Sequence, residues 1–157
     1  MIQVSPKLRT AAACKVARLD RDRFNEAVAG GYLNCVPGTV AGRARVFTPD
    51  DMLVLWYFRE LVEDGLTREY AGRIACEVAD AAKRNPDAVA ISYVEDYFGP
   101  RSGRAFPADM VPDSSQWDTT KFSGTDIRKV TTFRVGKTRE MISHYTAEEL
   151  SVFGSED

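Results

Sequence analysis

Histidine occurs once in this chain, as His144, and no Cys or His stands beside it at metal-ligand spacing. A Cys/His metal centre is therefore not expected. No phosphate-cradling glycine loop, nucleophile elbow or zinc-deaminase signature is present. The acid pairs Asp50-Asp51 and Glu148-Glu149 fall at expected helix starts, where the helix dipole already accounts for them. These absences point away from an enzyme and from a bound cofactor. No apolar run approaches the length needed to cross a bilayer. The leading residues Met1–Lys7 lack the charged-then-apolar order of a secretory signal, so a cytoplasmic protein without a membrane partner is expected. Cysteine is also scarce: Cys14, Cys35 and Cys76 are odd in number and far apart. That pattern favours reduced thiols packed as small hydrophobes over a disulfide framework.

What is present suits a globular fold, with 44% hydrophobic and 28% charged residues among 157. The net charge of −2 hides a division. Residues 1–47 carry eight Lys/Arg against three Asp/Glu, whereas residues 48–157 carry thirteen against twenty. A basic head on an acidic body suits a protein that offers one face to phosphates.

The basic head opens with a short helix over Arg9–Val16, its Ala12, Ala13 and Val16 at helical spacing. Asp20 is placed to cap a second helix that runs to Ala29 and stops at Gly30-Gly31. Phe24, Ala27 and Val28 share the inward side of this helix. Two such helices form a helix-turn-helix unit or an ordinary helical hairpin. Tyr32–Phe47 follows, with turn residues Pro37-Gly38 and Gly42 among Val36, Val40 and Val46. It reads as a β-hairpin tipped by Gly42-Arg43-Ala44-Arg45, a basic wing suited to phosphates or the minor groove. Thr48-Pro49-Asp50-Asp51 opens a third helix, apolar on nearly every side from Met52 to Val62. Its girth must be covered by the rest of the chain or by another subunit. Gly65 ends it, and Thr67 caps a fourth helix that continues to about Arg84, closed by Asn85-Pro86.

Three segments, in order, carry a resemblance: Gly31-Tyr32, Arg45-Val46-Phe47-Thr48-Pro49-Asp50-Asp51 and Gly65-Leu66-Thr67. Over residues 10–80 the chain resembles the DNA-binding domain of the MerR family, in the divergent form found in phage and mobile-element regulators. Arg23-Phe24-Asn25-Glu26-Ala27 departs from the family's recognition helix, and Asn85-Pro86 breaks the chain where the family continues into a long dimerisation helix. Neither the metal nor the drug sensor classes carry over. The resemblance implies a winged helix-turn-helix that regulates transcription on double-stranded DNA as a homodimer, with RNA polymerase among its partners. An excisionase-like DNA-bending factor and a protein-interaction module are the alternatives. On the second helix, Asn25 suits adenine and Arg21 and Arg23 stand at the leading end. Arg18, Arg43, Arg45 and Arg68 complete the expected contacts, although a solvated surface or an intrahelical ion pair explains several of them equally well.

The expected fold is α+β: four helices and a wing over residues 1–85, then a β-rich dimerisation or effector segment over 86–157. In the latter, Ala88–Phe98 and Ile127–Val135 read as strands, the second with Thr131, Phe133 and Val135 on one face. Gly99–Arg104 reads as a loop, residues 107–126 as an irregular connection, and Thr146-Ala147-Glu148-Glu149 as the start of a short last helix. Tyr93, Tyr97, Trp117 and Phe133 are the aromatic candidates for an effector pocket.

Overall fold

Local capping chemistry fixes most of the helical framework. A computed structural model describes residues 6–39, 43–99 and 102–152. Helix α1 (Thr10–Ala17) is built from small residues, and Ala12, Ala13, Cys14, Val16 and Ala17 are buried along it. Arg18 ends it in the left-handed region at φ 58°. The amides of Arg18 and Leu19 return to the carbonyls of Lys15 and Cys14, which satisfies the helix end as a glycine normally would. Asp20 then caps α2 (Arg21–Ala29) by accepting from the Arg23 amide at 3.1 Å. Gly31, at φ +78°, closes α2 in the same manner, with Tyr32 bonding back to Ala27.

Helix α3 (Pro49–Glu63) begins in a reciprocal box in which Thr48 and Asp51 each satisfy the other's backbone amide. Helix α4 (Arg68–Arg84) begins at Thr67. The two pack against each other, and α4 also lies on a three-stranded antiparallel sheet. The central strand of that sheet is β3 (Ile91–Glu95), flanked by β4 (Arg104–Pro107) and β5 (Lys129–Phe133). Every residue of β3 is buried. Its register sets Ser92 opposite Thr132, and their hydroxyls meet at 2.8 Å. The last helix, α5 (Val135–Val152), folds back onto α1 and α3. The architecture is α+β.

Several expectations change. The second arm of the expected hairpin, β2 (Val46–Phe47), pairs antiparallel with β1 (Leu8–Arg9), and the first arm shows no strand over residues 32–39. Leu33 and Val36 are buried against the core, and Pro37 has no amide to give a ladder. Val40 and Gly42 of the expected wing, Pro100 and Arg101 of the expected loop, and Met1–Ser5 lie outside the described residues. The cysteines are not all thiols: Cys35 and Cys76 form a disulfide across 41 residues, and Cys14 remains free and buried. Sequence spacing does not show this, because only the fold lays the segment after α2 along α4.

The second half is more helical than expected. Val135 starts α5 instead of extending β5, and Thr146 lies buried within α5 instead of capping a short helix. The apolar side formed by Val135, Ile142 and Thr146, with Met141 and Tyr145 beside it, packs on α1 and α3 and outweighs the local cap signal. Part of the expected loop and connection forms β4 and the short 3-10 turns Ala108–Met110 and Ser114–Gln116.

One hydrophobic core runs from Leu8 and Phe24 through α3 and α4 to Tyr93, Phe133 and Ile142. Much of α3's apolar girth is covered from within the chain. The Tyr57 ring meets Phe133 edge-on at 4.9 Å, and Trp56 stacks on Tyr145 at 6.2 Å.

Candidate nucleic-acid interface

Helix α2 buries Phe24 and Ala27 completely and leaves Arg21, Asp22, Arg23, Asn25, Glu26 and Ala29 exposed. Its inward side is held by Phe47 of β2, whose ring meets Phe24 edge-on at 5.7 Å. The same strand delivers the basic segment that precedes it. The Arg45 guanidinium lies 5.5 Å from the centre of the Phe24 ring, so Arg45 is carried against α2, with Arg43 exposed two residues earlier.

From the other side comes Arg68, in the first turn of α4. It pairs with Glu26 of α2 at 3.2 Å, with both side chains about half exposed. The ion pair of Arg68 is thus interhelical, not the intrahelical one that stood beside phosphate contact among the expectations. Arg45, α2 and Arg68 are therefore brought together, with Asn25 on the open side between Phe24 and Glu26 and Arg21 and Arg23 at the leading end.

Arg18 is placed differently. Its guanidinium stacks 4.7 Å over the Tyr145 ring of α5. Lys15 is likewise drawn to α5, 3.7 Å from Glu149. Arg9 is an exposed cation outside the expected contact set, directly across the β1–β2 pair from Val46. Its signal is present in the charge of the head, but its proximity to Arg45 follows from a strand pairing that no local pattern announces.

The first turn of α4 is anchored to the sheet. The Tyr70 hydroxyl donates to Oε1 of Glu95, a carboxylate wholly buried on β3. Arg128 and Lys129 approach the same carboxylate at 3.5 and 3.9 Å. Burial first, and then the hydrogen bond to Glu95, push the Tyr70 phenol well above its ordinary range. Arg68 thus stands on a turn tied at one side to α2 and at the other to β3.

The four aromatic candidates for an effector pocket do not converge. Tyr93 and Phe133 are core, Tyr97 is 72% exposed, and the Trp117 indole donates to the Pro112 carbonyl. A cleft of about 820 Å³ opens elsewhere, between α4 and β4, with Arg73, Glu77, Asp96 and Arg104 along it. Ser102 and the Phe98 amide both donate to Asp96 and hold its carboxyl below the usual range, the Ser102 hydroxyl most strongly.

No family model matches the chain, and no curated protein does. Among the described residues no group of His, Cys, Asp and Glu could hold a metal ion. Among the same residues no helix is long and apolar enough to cross a membrane.

Proposed function

We propose that the chain is a sequence-specific regulator that binds double-stranded DNA through a MerR-like winged helix-turn-helix. The observation that carries this reading is the presentation of α2. Its apolar side is sealed by Phe47 and its polar side is exposed. Arg43 and Arg45 flank it on one side and Arg68 on the other. A helix held in this way enters the major groove with its leading residues toward base edges, while flanking arginines grip phosphates. Asn25, Arg21 and Arg23 are the base-reading candidates, Arg9 joins Arg43 and Arg45 as a phosphate contact, and Arg68 stands beside them paired with Glu26.

Two copies acting together would place two recognition helices on one DNA face and raise affinity through effective concentration. The chain offers apolar surface for that contact on its second half, where Val89 and Met110, 77% and 58% exposed, line one shallow groove beyond α4. Sedimentation tests this directly: the homodimer fails if the chain stays monomeric at tens of micromolar, free and on DNA.

Binding itself is tested by fluorescence anisotropy on a mixed-sequence duplex of about 25 base pairs across a salt series, followed by selection from a randomised duplex library. We expect a steep loss of affinity with salt and an enriched motif. Absence of salt-dependent binding refutes the reading and favours a protein-interaction module. Strong bending of the selected DNA without an effect on transcription favours an architectural factor.

A further inference from the structure

The segment that leaves α2 for the basic strand is pinned to α4 at two points. At Gly72 the helix has no side chain, and a Cβ there would lie 1.9 Å from the Tyr32 carbonyl oxygen, so the two backbones touch. One helical turn further along α4, Cys76 is joined to Cys35, with the two Cα atoms 5.8 Å apart. Between these pins Leu33 is buried, whereas Cys35 is exposed and Cys76 only half-buried. Cys35 follows closely on Gly31, where α2 closes, and the same connection leads on to Arg43 and Arg45.

We propose that Cys35–Cys76 is a thiol-responsive modification site whose opening loosens the link between α2 and the basic strand and so weakens nucleic-acid binding. The proposal rests on the DNA-binding reading given above. Exposed disulfides are the ones that soluble thiols reach, and they are correspondingly labile. A dithiol reductant supplies the chemistry. Its thiolate attacks Sγ of exposed Cys35, the Cys35–Cys76 bond breaks, and Cys76 leaves as a thiolate that takes up a proton. The reductant's second thiol then displaces the mixed disulfide, which releases the Cys35 thiol and the oxidised dithiol. Two electrons and two protons pass to the chain. After that the segment keeps only its noncovalent hold, the Tyr32–Gly72 contact and the buried Leu33 and Val36. Cys14, buried in α1, takes no part.

The test compares oxidised protein with protein reduced by dithiothreitol, folded in both states. Alkylation after denaturation counts one thiol in the first and three in the second, since Cys14 is the sole free cysteine of the oxidised chain. Amide hydrogen exchange in peptides spanning residues 32–39 is expected to accelerate on reduction, with α3 unchanged. Affinity for the mixed-sequence duplex is expected to fall about fivefold or more, the lower end of ordinary coupling between sites. Cys35→Ser should behave as the reduced protein and ignore dithiothreitol, and Cys14→Ala should respond as the parent does. A bond that opens only when the protein unfolds overturns the proposal, as does opening that leaves exchange over 32–39 unchanged. Faster exchange with equal DNA affinity in both states overturns the regulatory role. Failure to bind DNA in either state refutes the functional reading itself, while the exchange data still decide whether the pin opens.

Discussion

Glu26 makes the sharpest test of the interface, because the structure predicts that removing a partner from an ion pair strengthens binding. Glu26 is an anion on the exposed side of α2, and it occupies the Arg68 guanidinium at 3.2 Å. In Glu26→Gln that cation is released toward the same face and one negative charge of the proposed DNA-binding surface disappears. The fold should hardly notice: with side chains 45% and 59% exposed, the pair contributes no more than about 1 kcal/mol after solvent screening. Binding should notice. One additional phosphate contact steepens the slope of log affinity against log salt by about 0.9, so between roughly 200 and 50 mM salt the variant should gain about 3.5-fold over the parent. Anisotropy titrations at four or more salt concentrations measure that slope. The gain should vanish when Glu26→Gln is made in an Arg68→Ala background, which isolates the pair from any general charge effect. An unchanged or shallower slope in Glu26→Gln would show that this side of α2 does not face phosphate, and α2 would then not dock on DNA by its exposed polar face.

Arg43→Ala with Arg45→Ala should flatten the same salt slope by up to about two contacts and weaken binding to every sequence alike. Asn25→Ala should cost about 1–3 kcal/mol on a selected site and blur one or two base positions; an equally sharp motif from library selection would exclude it as a reader. The Tyr57 phenol, raised from 10.0 to about 12 chiefly by burial, ionises first in the unfolded chain, so its stabilising effect is whole below pH 10 and about 3 kcal/mol is lost as pH rises toward 12. Tyr57→Phe, which gives up the 2.8 Å bond to Thr138, should cost about 0.5–1.5 kcal/mol at neutral pH yet flatten that alkaline loss in urea unfolding, and an unaltered alkaline limb would refute the assignment.

The parts legible in the sequence are those whose determinants lie within a few residues of one another. Asp20, Thr48 and Thr67 cap α2, α3 and α4 at the expected places, and Gly31 and Gly65 stand with positive φ where α2 and α3 end. The parts that are not legible depend on partners distant in the chain. Val46 and Phe47 are recognisable as strand residues, but their partner is β1, far back at Leu8 and Arg9. Cys35 meets Cys76 only because α4 passes beneath the segment after α2. The Tyr70–Glu95 bond and the Glu26–Arg68 pair, which between them hold the first turn of α4, join residues 25 and 42 apart. Arg18 illustrates the same limit for a single residue. Its basic charge is plain, but its stacking on Tyr145 requires a helix whose start the Thr146 cap pattern places too late.

That longer helix also changes what the apolar excess of α3 means. Met52 to Phe58 are buried without interruption, a girth that two or three neighbouring helices of a small DNA-binding unit would leave partly open. A chain with such a helix either shares the surface with another subunit or covers it itself. Here α5 returns across the molecule to lay Ile142, Tyr145 and Thr146 over α1 and α3, and Tyr57 bonds to Thr138 on the same helix. A chain cut at Asn85 would lose this cover and also the β3 carboxylate that anchors Tyr70. It would expose Trp56 and Tyr57, at a cost of about 1.5–3 kcal/mol for each large side chain returned to water. Weak DNA binding by such a fragment would therefore report damage to the support of α2 and α4, and it would say nothing of dimerisation. The proposed contact between copies belongs on surface that the intact chain leaves open, and substitutions at Val89 and Met110 test it without opening the core.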